Sequence, residues 1–165
     1  MKLIYICRHA KSSWDNLNLS DFDRPLNERG LKNAPLMANF LAEQKHAPQI
    51  VWSSPARRAI TTAHYYMQKL PHAVLEEKEA LYLMEYMELL HFICALPEDS
   101  FSQALVGHNP GLTNIINYLC GNVIGNLPTA GIACIQFDVP SWKEVSGDQG
   151  KLLWLETPKN LMKYN

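Results

Sequence analysis

The segment K-L-I-Y-I-C-R-H, residues 2–9, places a short and almost fully apolar run directly before Arg8 and His9. A run of this length that ends at polar residues is typical of a strand buried on both faces, as in a parallel sheet. The segment therefore predicts a strand over residues 2–7. It also sets a permanent cation beside a titratable imidazole at the carboxyl end of that strand.

Further apolar runs alternate with helical patterns along the rest of the chain. Strands are predicted over 49–53, 73–77 and 102–107, and a turn-rich segment between 131–139 and 151–156 predicts that these last two strands form an antiparallel pair. Helical patterns lie over 26–44, 54–70, 85–96 and 110–119. This order predicts an α/β fold, a three-layer α/β/α sandwich with a mainly parallel central sheet and an antiparallel edge.

Residues that favour helix ends predict where three of these helices begin. Asn27 is the predicted N-cap of the first helix, in which Pro35 predicts a kink or a late start. Ser54 and Pro55 are the predicted N-cap and first residue of the second helix, because serine favours the cap and proline the first helical position. Pro110 is predicted to open the helix that follows the fourth strand.

Length and composition indicate one ordinary globular domain over residues 1–165, with 47% hydrophobic and 19% charged residues. The formal net charge of −1 gives no general attraction to nucleic acid or to an anionic membrane. The apolar run at the start is too short for a signal peptide, and no later run is long enough to span a membrane, so a cytoplasmic location is expected. Four well-separated cysteines indicate reduced thiols.

Polar motifs follow three of the predicted parallel strands. C-R-H ends the first strand, S-S-P-A-R-R follows the second, and G-H-N-P-G follows the fourth. Open parallel sheets bind ligands beyond the carboxyl ends of their strands, where helix N-termini also favour anions. Each motif alone has an ordinary structural explanation, but together they bring His9, His108 and up to three arginines (Arg8, Arg57 and Arg58) to one edge. This placement predicts a site for a phosphoryl group.

The sequence does not contain the motifs that other common phosphate-transfer mechanisms require. A cysteine phosphatase needs Cys-x5-Arg, and the positions that would hold that arginine are Ser13, Ser100, Asn126 and Pro140. No Walker loop occurs, and carboxylates accompany His9 but not His108, which does not suit a metal site. Histidine itself remains as the nucleophile. Because imidazole attacks only when neutral, Arg8 is expected both to disfavour the imidazolium and to bind the phosphoryl oxygens.

Four ordered blocks of the sequence resemble one family: C-R-H-A-K-S-S-W with D-R-P-L-N-E-R-G, S-S-P-A-R-R-A-I-T-T-A, V-G-H-N-P-G-L-T and L-P-T-A-G-I-A. They are similar to the histidine phosphatase superfamily, the phosphoglycerate-mutase-like group, and most like its SixA-type phosphohistidine phosphatases. The resemblance covers residues 3 to about 138 and implies a phosphoglycerate-mutase-like fold. It implies a phosphorylated nucleophile at His9, phosphate ligands at Arg8 and Arg58, and a second histidine at His108. Further phosphate contacts from Ser12 and the backbone N–H of Asn109 are implied as well, and no metal or organic cofactor is.

The chain departs from the family pattern at two places. Ala10 stands where the family has glycine, which fits if its φ is negative. The region after the third strand holds Glu79, Glu85 and Glu88, but none in a recognisable general-acid motif, and the SixA-type members share that lack.

A missing general acid suits a labile phosphoramidate better than an ester, since acid catalysis typically contributes about 10²- to 10⁴-fold. Only 50 positions separate Arg58 from His108 (108 minus 58), which leaves no room for a capping insertion and predicts an open site. The expected substrate is phosphohistidine on a partner protein. The alternatives are a small-molecule phosphomonoesterase of the same mechanism and a non-catalytic phosphate-binding module, with a mutase less favoured because it must protect its phosphohistidine from water.

Overall fold

A six-stranded sheet forms the centre of the protein, whose computed structural model describes residues 1–163. Residues 164 and 165, the end of the predicted domain, lie outside the described part. The strands are β1 (Lys2–Arg8), β2 (Ile50–Ser53), β3 (Val74–Glu77), β4 (Ser102–Gly107), β5 (Ile132–Phe137) and β6 (Lys151–Glu156). Their order across the sheet is β3-β2-β4-β1-β5-β6. The first four are parallel, while β5 pairs antiparallel with both β1 and β6, so the predicted mainly parallel sheet with an antiparallel edge is confirmed.

Strand β1 is buried on both faces, as its apolar run predicts. Leu3, Tyr5 and Cys7 belong to the hydrophobic core on one side of the sheet. Ile4 and Ile6, which alternate with them, belong to the core on the other side. Because β1 lies between β4 and β5, its carboxyl end, with Arg8 and His9, is held at the middle of the sheet.

Helices cover both faces of the sheet and complete the predicted three layers. They are α1 (Glu28–Ala42), α2 (Arg57–Lys69), α3 (Tyr86–Cys94), α4 (Gly111–Cys120) and the short α5 (Pro158–Met162). Helices α1 and α2 pack over one core, and α3 and α4 pack over the other. Among the described residues, none of the helices combines the length and the apolar character that a membrane crossing requires.

Two of the three predicted helix-start residues agree with the structure, and one differs. The side chain of Asn27 accepts a hydrogen bond from the N–H of Gly30 and caps α1, but the late start expected from Pro35 is wrong, because α1 begins at Glu28 and runs through that proline. The second prediction is also wrong: α2 begins at Arg57 with Ala56 as its N-cap. Helix α4 begins at Gly111 with Pro110 as its N-cap, as expected.

The late start of α2 has a visible cause at Ser54. Its N–H donates to the carbonyl of Val106 at 3.0 Å and so extends the pairing of β2 with β4. Its hydroxyl oxygen accepts from the N–H of Ala56 and lies 2.8 Å from Nε2 of His108. Ser54 therefore prolongs the strand and contacts a histidine of the neighbouring strand end, and the helix begins after it.

Candidate active site

Three neighbouring strands deliver the predicted site residues to one edge of the sheet. Strands β2, β4 and β1 are adjacent and parallel, so the residues that follow them meet at their carboxyl ends. The N–H of His9 donates to the carbonyl of Gly107 at 3.2 Å, which ties the end of β1 to the end of β4. This is the edge at which an open parallel sheet binds its ligands.

A cavity of about 430 Å³ lies at this edge. It is lined by Arg8, His9, Lys11, Ser12, Trp14, Asp21, Arg24, Arg58, Leu83, His108, Asn109 and Thr129. All six residues predicted for the site are among them. Arg57, the other arginine of its motif, is exposed on α2 and does not line the cavity.

His9 is buried and has one hydrogen bond that decides which ring nitrogen is free. Its Nδ1 lies 2.7 Å from the carbonyl oxygen of Ala10. A carbonyl oxygen only accepts, so Nδ1 carries the proton and donates, and Nε2 keeps its lone pair. Neutral His9 therefore has the tautomer that a nucleophile attacking through Nε2 requires.

The environment of His9 also favours the neutral ring. The pKa of His9 is lowered from 6.5 to about 4, and burial is the largest cause. The hydrogen bond to Ala10 opposes this shift, while the positive charges of Arg58, Arg8 and Arg24 add to it. From the sequence, Arg8 was expected to keep the His9 ring neutral. The structure corrects that assignment, because desolvation contributes most and Arg58 contributes more than Arg8.

His108 lies close to His9, with 5.2 Å between the two ring centroids. Burial, followed by His9 and Arg58, lowers the pKa of His108 from 6.5 to about 3. Its Nδ1 is buried and has no hydrogen-bond partner within residues 1–163. A neutral imidazole with Nε2 beside the Ser54 hydroxyl is the form that the site holds.

The two predicted arginines are held by main-chain oxygens. Arg8 donates from Nη1 to the carbonyl of Leu127 at 3.0 Å, and its Nε is buried without a partner in the described part of the chain. Arg58, 4% exposed, donates from Nη1 to the carbonyl of Asp21 at 2.6 Å. Both guanidinium groups therefore face the cavity from fixed positions, with donors left over for an anion.

Sequence reasoning missed Arg24 and Asp21, which come from the polar loop between β1 and α1. Arg24 is 7% exposed, donates from Nη2 to the hydroxyl of Ser12 at 2.7 Å, and stacks over the ring of Trp14. Asp21 is bonded to both Arg24 and Arg58. The third arginine of the cavity is thus Arg24 and not Arg57. Arg24 lies in the D-R-P-L-N-E-R-G block, which supports the family resemblance and also could have indicated a site arginine.

The weaker predicted contacts and the altered glycine position also lie at this edge. Ser12 is 5% exposed and its hydroxyl accepts from Arg24. The side-chain amide of Asn109 donates to Asn126 and to the carbonyl of Leu127, and the phosphate contact expected from its backbone N–H stays a prediction. Ala10 does not adopt positive φ, and its N–H donates to the hydroxyl of Thr62. The methyl group of Ala10 therefore introduces no backbone strain.

Asp21 contributes the one carboxylate among the residues that line the cavity. Burial raises its pKa, but hydrogen bonds from Tyr82 and Arg58 outweigh that effect and lower the pKa from 3.8 to about 2. The carboxylate of Glu88 accepts from the N–H of Glu85 at the start of α3 and does not reach the cavity. Within residues 1–163, no group of three or more His, Cys, Asp and Glu side chains is placed to bind a metal ion.

Comparisons with known proteins agree with this arrangement. The family model of the histidine phosphatase superfamily (branch 1) matches residues 4–89. A SixA protein from Agrobacterium tumefaciens is 25% identical, with a TM-score of 0.83 over 95% of this chain and 98% of its own. The protein histidine phosphatase SixA in complex with tungstate is 27% identical, with a TM-score of 0.81 over 96% of this chain and 99% of its own.

The resemblance also extends to a curated sequence. An uncharacterized chloroplastic protein from Arabidopsis thaliana is 28% identical over 166 residues, which cover 92% of this chain and 73% of that protein. The predicted phosphoglycerate-mutase-like fold is confirmed by the structural matches.

Proposed function

This chain belongs to the histidine phosphatase superfamily, and we propose that it is a metal-independent phosphatase that forms a phosphohistidine intermediate on His9. Its substrate is phosphohistidine on a partner protein. The observation that supports this proposal is the state of His9: the ring is neutral, Nδ1 donates to the carbonyl of Ala10, and Nε2 is left as a nucleophile beside three arginines. A cytoplasmic location remains a prediction.

The charge of the cavity suits a phosphoryl group. Three guanidinium groups and Lys11 line it, against the single carboxylate of Asp21. Arginine donors in fixed positions match the oxygens of a phosphoryl group, and they are most effective where charge develops in the transition state. The SixA relative binds tungstate, an oxyanion of similar shape.

The proposed reaction has two displacements at phosphorus. In the first, the Nε2 lone pair of His9 forms a bond to phosphorus, while the P–N bond to the substrate imidazole breaks and its electrons return to the leaving nitrogen. The phosphorylated His9 ring is cationic, and its Nδ1–H bond to Ala10 becomes charge-assisted. In the second, water attacks phosphorus, the P–Nε2 bond breaks, and inorganic phosphate leaves with the protons of the water.

The only carboxyl group among the residues that line the cavity is not a suitable general acid, which favours phosphohistidine as substrate. Asp21, with its pKa near 2, is ionised at neutral pH and has no proton to give an ester oxygen. Leu83, from the segment after β3, contributes an apolar side chain to the cavity wall. A phosphohistidine ring that is protonated on its other nitrogen leaves as neutral imidazole and needs no such donor, whereas an alkoxide does.

One feature favours a second candidate, a small-molecule phosphomonoesterase. A neighbouring cavity of about 370 Å³ shares Leu83, His108 and Asn109 with the first and is also lined by Glu85. The carboxyl group of Glu85 is an alternative proton donor in that neighbouring cavity. If Glu85→Gln lowered ester hydrolysis at least tenfold, this second candidate would be preferred.

The proposed function is tested by trapping the intermediate. Wild-type protein is mixed with a ³²P-labelled phosphohistidine protein and quenched in alkali, in which phosphohistidine survives, and the labelled peptide is identified by mass spectrometry. Label is expected on His9 and absent from His9→Ala, while the control His72→Ala, which changes an exposed histidine, is labelled like wild type. Turnover without any label on His9 would refute the mechanism. Phosphate binding without turnover of any substrate would instead identify a binding module.

A further inference from the structure

The carboxylate of Asp21 bonds to two arginines and a tyrosine at the cavity, and none of the roles proposed above requires it. Its Oδ1 accepts from Nη1 of Arg24 at 3.1 Å, and its Oδ2 accepts from Nη2 of Arg58 at 3.0 Å. The hydroxyl of Tyr82 donates to the same Oδ2 at 2.6 Å. The main-chain oxygen of Asp21 accepts from Nη1 of Arg58 as well. One residue thus bonds two of the three arginines that line the cavity.

The contact with Arg58 restrains the whole guanidinium plane. Nη1 and Nη2 of Arg58 both donate to Asp21, one to the carbonyl and one to the carboxylate. Two parallel bonds to one partner fix both the position and the rotation of the planar group. Each of these nitrogens carries a second N–H, and those remaining N–H groups are available to an oxyanion.

Arg24 is held in a similar way, with Asp21 as one of several partners. Its Nε donates to the carbonyl of Ser13 at 3.1 Å and its Nη2 to the hydroxyl of Ser12. Its guanidinium carbon lies 3.2 Å from the centre of the Trp14 ring. Among the described residues, Asp21 is the anionic group that bonds to Arg24. Because it bonds to Arg58 as well, its charge offsets the repulsion between these two arginines.

Asp21 is itself held from a different part of the chain. It begins a short 3₁₀ turn, Asp21–Asp23, whose N-cap is Ser20. Tyr82, which follows β3, donates to its carboxylate and packs edge-on against His108, with 5.4 Å between the ring centroids. The hydrogen bond from Tyr82 thus links the loop after β1 to the segment after β3, and both segments contribute residues to the cavity wall.

We propose that Asp21 is a positioning residue, which uses its two carboxylate oxygens to hold Arg24 and Arg58 in the orientation that binds the phosphoryl group, with Tyr82 holding Asp21. This inference rests on the proposed function and deepens it. Asp21 does not touch the reacting atoms and acts through the two arginines. The net charge of the cavity stays positive, because Arg8 and Lys11 remain beside the bonded group.

The test measures inorganic phosphate binding by calorimetry, since this needs no turnover. Asp21→Asn keeps the shape of the side chain, but its amide nitrogen cannot accept, so one of the two arginines loses its hydrogen bond to this side chain. The dissociation constant for phosphate is expected to rise about 10- to 100-fold, the range of one hydrogen bond to a charged group. The control is Asp23→Asn in the same turn, where the carboxylate accepts from Ser20 and lies outside the cavity, and it should stay within twofold of wild type.

A double-mutant cycle separates positioning from a general structural effect. In an Arg58→Ala background, Asp21→Asn should weaken phosphate binding much less than in wild type, because the group that it orients is gone. The thermal midpoint of each variant is measured beside the affinity. Should Asp21→Asn not fold, Tyr82→Phe is the variant to measure, and it should weaken phosphate binding at an unchanged thermal midpoint.

The opposite result overturns the proposal. In that case Asp21→Asn, or Tyr82→Phe in its place, binds phosphate as tightly as wild type or more tightly. Such binding would mean that the carboxylate competes with the phosphoryl group for Arg58. Failure of the proposed function looks different. In that case the wild-type protein binds phosphate and Asp21→Asn binds it more weakly, but the wild-type protein does not hydrolyse phosphohistidine.

Discussion

Lowering the pH from 7 to 5 should leave His9 neutral and the rate constant of the first displacement nearly unchanged. This expectation follows from the pKa of His9, which burial lowers to about 4. A lowered pKa means that the neutral, nucleophilic ring persists to lower pH. At pH 5, about 90% of His9 would still be neutral, compared with about 3% of an imidazole with the ordinary pKa near 6.5.

The two cases differ strongly in their kinetic consequence. Between pH 7 and pH 5, an ordinary histidine nucleophile would lose about 25-fold in its neutral fraction, whereas His9 should lose about 10%. The assay is kcat/KM against pH, corrected for ionisation of the substrate. The His9 pKa is read separately from the ¹³C shifts of labelled histidine, with the His9→Gln variant identifying the resonance.

Because His9 and His108 are 5.2 Å apart, the acid limb reports the pair of rings and not one of them. The account predicts that neither ring is half protonated above pH about 5. Half protonation of His9 near pH 6.5, or a loss of kcat/KM approaching 25-fold by pH 5, would refute the argument that the buried site keeps its nucleophile neutral.

Three further predictions concern single side chains. Arg58→Ala should lower kcat/KM by about 10²- to 10³-fold, as for other preorganised donors, while Arg57→Ala, which changes the adjacent exposed residue, should stay within twofold in the same steady-state assay. Gly30→Ala should lower the free energy of unfolding by about 1–3 kcal/mol, because the added methyl group would overlap the carbonyl oxygen of Lys11, and an unchanged urea midpoint would contradict this packing. Leu83→Glu should speed hydrolysis of glycerol 2-phosphate about tenfold by adding a general acid to the cavity. If Leu83→Glu hydrolysed this ester no faster than Leu83→Gln, the missing acid would not be what limits the rate of ester hydrolysis.

The placement of the central site residues could be predicted because it follows from topology. An apolar strand buried on both faces implies a parallel sheet, and parallel strands present their carboxyl ends at one edge. Residues after three such strands must then meet, which is how His9, Arg58 and His108 come to line one cavity. The sequence did not give the order of the strands, and these residues share one cavity because β2, β4 and β1 are neighbours.

The partners of the arginines could not be predicted, because they come from a loop without periodicity. Asp21 and Arg24 lie 12 and 15 residues after His9 (21 minus 9 and 24 minus 9), in a polar segment whose path depends on contacts with α2 and with the segment after β3. The bond between Asp21 and Tyr82 spans 61 positions. No pattern within either segment indicates it.

Two local predictions failed for a related reason, since each considered neighbours in sequence where tertiary contacts decide. Ser54 was expected to cap a helix, but its hydroxyl lies against His108, 54 positions away. Arg8 was expected to control the pKa of its neighbour His9, but burial in the assembled site has the larger effect. Both errors concern details of the site and leave its location unchanged.

The central claim is that His9 removes phosphate from a protein phosphohistidine without a metal. The most direct test compares a protein phosphohistidine with p-nitrophenyl phosphate in the presence of EDTA, using wild type and His9→Ala. The account predicts faster turnover of the phosphohistidine by wild type and loss of that activity in the variant. Preference for the ester, or activity that survives in His9→Ala, would contradict it.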